Sequence, residues 1–377
     1  MRVTRLAFSN IRNHYTSQVF PVDNVNIFTG LNGEGKTSIL EAITLCTLTR
    51  SFADPYEQNI IRSGEKKIEA ILEFQTDLGV KRKIEVLYDT AQGKTIWLDG
   101  EKVSSAASII GVAPTIVLSP DLKIITNGAP SERRRFIDIV ISQAKRSYLD
   151  TLIDYRRVLK HRNALLIDSV KNNKTIPDIL LEPFDEMLIN LSAKLMFERA
   201  LFIAEFEIVF TKTVLELSNN NDIVELKYSP NSVHKPLPLI DDYRDALWLK
   251  SKQIKKEELR RGATLFGAHR DELKIKINGL EARLSASQGQ HKTLITAMKI
   301  AEFRFLSSKL GETPIILLDD IFSELDEERS EKVFHATHSL AQIFITTVSI
   351  KNIPFYSNIE SGIINVKNGE VSLNEFV

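Results

Sequence analysis

Cysteine is almost missing from this chain of 377 residues: Cys46 is the only one. That excludes an intrachain disulfide and any zinc site built on cysteine, and it fits a reducing compartment. Net charge is missing too. Forty-nine Lys and Arg balance 49 Asp and Glu, so binding to a polyanion has to come from a local patch. Two long stretches, Val103–Pro120 and Val333–Ile350, carry no charged residue. Serines and prolines interrupt the first and His335, His338 and Gln342 the second, so neither resembles a membrane span of about 20 apolar residues. The first eight residues alternate rather than forming an apolar run, and no signal peptide is expected. Hydrophobic content of 43% and charged content of 26% exclude collagen, low-complexity disorder and a disulfide scaffold. Length predicts two or three domains, and the expected location is the cytoplasm.

What is present is an alternation of strand and helix patterns. Val3, Leu6 and Phe8 read as a strand, as does Val25-Asn-Ile-Phe-Thr29, and Ile39, Leu40, Ile43 and Cys46 give a helix over about 36–48. Further strands are predicted at 68–74, 83–87, 95–98 and 114–118. From about 140 to 262 the pattern is helical, with Asn- and Pro-rich loops at 171–178 and 218–238. Strands return at 273–277 and 280–284, followed by a helix at about 290–309, a buried strand at 314–318, a helix near 327–340 and a strand at 342–347. A last hairpin turns at Lys367-Asn368-Gly369. The expectation is an α/β domain, residues 1–140 plus 263–377, interrupted by a helical insertion at 141–262.

Gly30-Leu-Asn-Gly-Glu-Gly35-Lys36-Thr37 satisfies the phosphate-loop pattern between a strand and a helix. Its glycines allow backbone N–H groups to converge on phosphate oxygens. Lys36 brings a point charge to the β- and γ-phosphates, Thr37 a hydroxyl for Mg²⁺, and the helix start favours an anion. ATP or GTP binding follows from this motif. The apolar run Ile315–Leu318 ends in Asp319-Asp320, and in a parallel sheet that end faces the nucleotide. Asp319 is expected to hold Mg²⁺ directly or through water, and Asp320 to act as the base or water-orienting group for attack on the γ-phosphate; without the loop, two adjacent acids also read as a solvated turn. Ser287-Gln288-Gly289-Gln290 precedes a long helix and reads either as an ordinary cap or as a second anion-receptive helix start.

Taken together, these motifs resemble the ATPase heads of the ABC/SMC type, and among them the RecF family of bacterial DNA replication and repair ATPases. Ile11-Arg12-Asn13, Ser119–Asp121, the Gly128–Arg135 run, Gly267-Ala-His269-Arg270-Asp271-Glu272-Leu273 and Ser323-Glu324-Leu325-Asp326 carry the likeness across nearly the whole chain. The resemblance implies an ABC-type P-loop ATPase head with an inserted helical domain. It makes Gly30, Leu31, Asn32, Gly33, Glu34, Gly35, Lys36 and Thr37 the Walker A loop and Asp319 with Asp320 the Walker B pair. Asn13 would lie near the nucleotide. Ser287, Gln288, Gly289 and Gln290 would be the signature that meets the ATP of a second subunit, and Ser323–Asp326 the loop crossing that dimer. It also implies an ATP-closed homodimer and slow hydrolysis. The implied partners are single-stranded, gapped or junction DNA, RecR and RecO, and indirectly RecA. Leu31 stands where proline is frequent, Ala53 where arginine is expected, and the switch position falls on Thr346 or Thr347.

Nine basic residues against three acids lie between Arg133 and Arg162, and six against two between Lys250 and Arg261. Arg133, Arg134, Arg135, Arg156, Arg157 and Lys160 are candidates for contacts to a DNA backbone. The same clusters also read as solvated helix faces. The competing function is another ABC/SMC-like ATPase that acts on protein partners.

Overall fold

The computed structural model describes all residues except 173–175, 219–220, 324–329, 333, 335–340, 354–360 and 377. The chain forms two compact units, residues 1–123 with 292–377, and residues 124–291.

The first unit begins with β1 (Arg2–Ile11), β2 (His14–Val19), β3 (Val25–Thr29) and α1 (Lys36–Thr47). It continues with β4 (Lys67–Gln75), β5 (Lys81–Asp89), β6 (Gly93–Leu98), β7 (Glu101–Lys102) and β8 (Thr115–Leu118). Among the described residues its strands form two six-stranded sheets. One is antiparallel, in the order β2-β1-β4-β5-β6-β7. Its strands alternate in burial, as β4 does with Ile68, Ala70, Leu72 and Phe74 inward, which is the pattern of a sheet with one covered face. The buried residues of this sheet belong to one core with Ile39, Leu40, Ile43 and Cys46 of α1. These are the positions whose helical spacing announced the helix.

The insertion holds α2 (Ile124–Asn127), α3 (Pro130–Ala144), α4 (Arg146–Asn172), α5 (Asp178–Leu217), β9 (Val224–Ser229), α6 (Ile240–Arg261), β10 (Glu272–Ile277), β11 (Leu280–Glu281) and α7 (Ala282–Ser285). The compact unit runs from 124 to 291, where the insertion was expected over 141–262. On its C-terminal side the reason is β9, a strand inside the stretch expected to be a loop. It pairs antiparallel with β10, Leu226 opposite Ile275 and Tyr228 opposite Leu273, and so ties residues 272–277 to the helices. The strand expected at 280–284 turns helical after Glu281.

A buried ionic network holds this unit together. Arg199 on α5 donates to Asp138 at 2.8 Å and to Asp271 at 2.7 Å, and the Tyr148 and Tyr228 hydroxyls complete the two carboxylates at 2.6 Å each. Burial alone would push Asp271 toward protonation, so its charge depends on these partners. The Gly267–Leu273 motif is therefore used in packing. Among the described residues no helix is long and apolar enough to cross a membrane.

The chain returns through α8 (Gln288–Leu310), whose first turn belongs to the insertion, to β12 (Ile315–Asp319), β13 (Ile343–Thr347), β14 (Ser361–Lys367) and β15 (Glu370–Phe376) of the first unit. The second sheet of that unit runs β15-β14-β3-β13-β12-β8. Its core strands β14, β3, β13, β12 and β8 pair in parallel, and the run Ile315–Leu318 is buried throughout, as a strand covered on both faces must be. Since β13 lies between β3 and β12, the loop after β3 and the acids ending β12 emerge at the same sheet edge, one strand apart. The helix expected at 327–340 falls largely outside the described residues.

Candidate functional site

The loop after β3 closes on Lys36, the first residue of α1. Its ammonium donates to the Gly30 and Leu31 carbonyls at 2.7 and 2.8 Å. Burial lowers the affinity of Lys36 for its proton, while Asp320, Asp319 and Glu34 oppose that effect. Leu31, Asn32 and Gly33 form an exposed tip. Gly35 caps α1 with φ +105°, and a Cβ there would stand 2.4 Å from His14 Nε2 and 2.5 Å from Asn13 Oδ1. No other residue type fits that position.

Thr37 and Asp319 meet: the Thr37 hydroxyl donates to Asp319 Oδ1 at 2.9 Å. The same oxygen receives the Thr346 hydroxyl at 2.8 Å. The register of β12 against β13 pairs Asp319 with Thr346. Burial raises the Asp319 pKa, the two hydroxyls opposing it. Asp320 takes a left-handed backbone, φ +48°. Its N–H is held by the Thr346 hydroxyl at 2.9 Å, while its own Oδ1 is buried without a hydrogen-bond partner among the described residues. A hydroxyl and a carboxylate side by side, next to an unsatisfied carboxylate oxygen, form a hard oxygen donor set. Such a set fits Mg²⁺, which takes one or two protein oxygens together with phosphates and water. Thr347 bonds within its own turn, through Ser349. Of the two switch candidates, Thr346 is the one in contact with the acids.

Asn13 lies at the loop, its Nδ2 donating to the Gly33 carbonyl at 3.1 Å. Its neighbour His14, which sequence reasoning passed over, is fully buried and holds the Gly35 carbonyl at 2.9 Å. A histidine in an alternating strand gives no sign of a carbonyl 21 residues further on.

Ser287 and Gln290 form a reciprocal capping box at the start of α8. Gln290 N donates to Ser287 Oγ at 3.2 Å and Ser287 N to Gln290 Oε1 at 3.0 Å, which satisfies two donors of the helix end. Gln290 Nε2 also reaches Asp222 at 2.9 Å. Ser287 and Gln288 are exposed, and Gly289 half-buried. Of Ser323–Asp326, only Ser323 lies within the described residues. Its hydroxyl donates to the Asp320 carbonyl at 2.7 Å.

The basic clusters separate into two kinds. Arg133 is buried, donating to Glu272 and to the Gly128 carbonyl at 2.9 Å each. Arg134 is half-buried and bound to the Asp271 carbonyl at 2.7 Å. Arg162 is enclosed by Asp185, Glu258 and Thr264. The expectation that Arg133 faces DNA is thus corrected, because burying a guanidinium requires just such partners. Arg135, Arg156, Arg157 and Lys160 are exposed; Arg156 stands 3.3 Å from the buried Asp138, and Arg157 3.2 Å from the exposed Asp154, a pair that water screens.

Residues 2–371 match the family described as RecF/RecN/SMC N terminal domain. A DNA replication and repair protein RecF of Chloroherpeton thalassium is 36% identical over 357 residues, 93% of this chain and 96% of that protein. A second, from Chlorobium luteolum, is 35% identical over 92% of this chain and 94% of its own. Among solved structures, a recombination mediator protein RecF bound to ATP, described as part of the RecFOR pathway, superposes with a TM-score of 0.91 at 29% identity, covering 99% of this chain and 98% of its own. An Smc head bound to the C-terminal winged-helix domain of ScpA gives 0.57 at 15% identity, covering 99% of this chain and 97% of its own, and shares the fold.

Proposed function

From membership of the RecF family, to which this chain belongs, we propose that the protein is an ATP-binding and slowly hydrolysing switch of DNA replication and recombinational gap repair. The observation that carries this reading is the meeting of Thr37 and Thr346 on Asp319, beside Lys36. It joins the phosphate loop to the acidic strand end in one site. The Lys36 ammonium neutralises the β- and γ-phosphates, and the loop N–H groups and the α1 N-terminus bind their oxygens. Thr37 and Asp319 are the residues that would hold Mg²⁺. When bound, that ion neutralises charge between the terminal phosphates. Asp320, with a buried free oxygen, orients the water that attacks the γ-phosphate. Thr346 fixes both acids, one through its hydroxyl proton and the other through its hydroxyl oxygen. Turnover is slow in this proposal because the switch position carries a hydroxyl in place of a titratable base.

ATP closes two copies head to tail, Ser287–Gln290 of one facing the phosphate loop of the other. The closed dimer holds single-stranded, gapped or junction DNA and acts with RecR and RecO to place RecA. The ATP-bound relative, a recombination mediator of the RecFOR pathway, supports the ATP and partner assignments. One observation favours an ATPase working on protein partners alone: the withdrawal of Arg133, Arg134 and Arg162 leaves a thinner basic surface.

A salt titration separates the two. Replacing Arg135, Arg157 and Lys160 together by Ala is expected to weaken DNA binding for every sequence and to flatten the slope of log K against log salt by about two to three. Thermal stability is expected to stay within about 1 kcal/mol, since these residues are exposed. An unchanged slope places the DNA elsewhere, and absence of salt-dependent DNA binding in the unmodified protein removes the DNA reading.

A further inference from the structure

The carbonyl groups of Gly33, Glu34 and Gly35 in the phosphate loop are all engaged from outside it. Asn13 Nδ2 donates to Gly33 O at 3.1 Å, the Gly369 N–H to Glu34 O at 3.0 Å, and His14 Nε2 to Gly35 O at 2.9 Å. The first comes from the turn before β2 and the third from the first residue of β2, the second from the turn of the last hairpin, where Asn368 N–H also meets the Glu34 carboxylate. The fit is tight. Gly369 has φ +77°, and a Cβ on it would stand 2.4 Å from the Asn13 carbonyl oxygen. In a trans peptide the N–H points opposite to the C=O. Fixing the Glu34 and Gly35 carbonyls on this collar therefore turns the N–H groups of Gly35 and Lys36 away from it. That is the condition for a backbone nest that receives an anion.

His14 is the one ring in the collar and is anchored at both nitrogens. A carbonyl only accepts, so Nε2 carries the proton toward Gly35 O. Nδ1 then accepts the Ser17 hydroxyl at 2.7 Å. Burial keeps the imidazole pKa low, with the Arg62 charge working the same way and the backbone carbonyls of Gly35 and Gly369 opposing it, so this neutral tautomer is the form at pH 7. The ring also fills the space beside Gly35.

We propose that His14 is a positioning residue for the nucleotide: together with Asn13 and the Gly369 turn it holds the Gly30–Lys36 loop in its phosphate-receiving form before any nucleotide arrives. This rests on the reading of Gly30–Thr37 as a nucleotide site. The loop then loses little freedom on binding, and affinity rises without a contact between His14 and the ligand.

The test uses the full chain. Amide exchange of residues 30–36 is measured without nucleotide, and binding of Mg-ATPγS is measured by calorimetry. His14→Leu is expected to speed exchange in the loop and to weaken binding about tenfold, the value of one or two lost hydrogen bonds. His14→Gln, whose amide reaches Gly35 O as Nε2–H does, is expected to restore binding to within about threefold of the parent chain. Ser17→Ala, a milder change, serves if the leucine variant does not fold, and is expected to move both readouts in the same direction. Loop exchange and affinity unchanged in the leucine or alanine variant, or equal losses with Gln and Leu, would overturn the proposal. Exchange is read without ligand, so it judges His14 even if Lys36→Met shows that the loop binds no nucleotide.

Discussion

Lys36→Met will abolish nucleotide turnover and weaken nucleotide binding by about one to two orders of magnitude. The ammonium is the only cation bonded into the loop among the described residues, lying across the Gly30 and Leu31 carbonyls. A charge-assisted contact to phosphate contributes about 1.5–3 kcal/mol, and an electrostatic donor aimed at developing charge is worth about 10²–10³ in rate. Methionine keeps the stem and removes the charge. Burial already opposes that charge, since it lowers the Lys36 pKa, so folding stability is expected to hold. Unchanged thermal unfolding together with lost calorimetric binding is the expected pair of results. Near-parental affinity and hydrolysis in this variant would remove the nucleotide site.

Asp320→Asn will separate binding from hydrolysis. Aspartate and asparagine both tolerate the left-handed backbone found at 320, and the N–H bond to Thr346 does not involve the side chain. The substitution therefore leaves the geometry and removes one carboxylate charge from the place where the proposed mechanism orients the attacking water. ATP affinity is expected to stay within a few-fold and single-turnover hydrolysis to fall about 10²–10³. The ATP-bound form then accumulates, so size-exclusion chromatography with ATP is expected to show a dimer that persists. Hydrolysis at the parental rate would assign the water to another group.

The parts legible in the sequence are those set by neighbours along the chain. The loop from Gly30 to Thr37 and the helix behind it are local, and so is the apolar strand that ends at Asp319. What could not be read depends on register and on distant partners. Thr346 reaches Asp319 only because β13 runs between β3 and β12 with that pairing, which also brings its hydroxyl to the Asp320 N–H. His14 meets Gly35 through a fold that brings β2 beside the loop. The triplet Arg133–Arg135 looked like a surface charge, yet Glu272, 139 residues away, takes Arg133 into the interior. β9 was hidden in an Asn- and Pro-rich stretch because its partner β10 begins more than 40 residues later, and that pairing ties residues beyond 262 to the second unit.

The proposed switch turns on one ATP shared between the phosphate loop of one copy and the Ser287 helix of another. Ser287 closes its own helix by a capping box, which leaves both an ordinary cap and an anion site open. Mixing two inactive variants decides between them. Lys36→Met and Ser287→Arg each inactivate both sites of their own homodimer if the sites are shared. In a mixed dimer one site combines the two lesions and the other combines two intact halves. With random pairing about half of the dimers are mixed, so about a quarter of all sites regain ATPase activity. Recovery to about a quarter of the parental rate is the result expected of a shared site. No recovery, with mixed dimers shown to form, would contradict it.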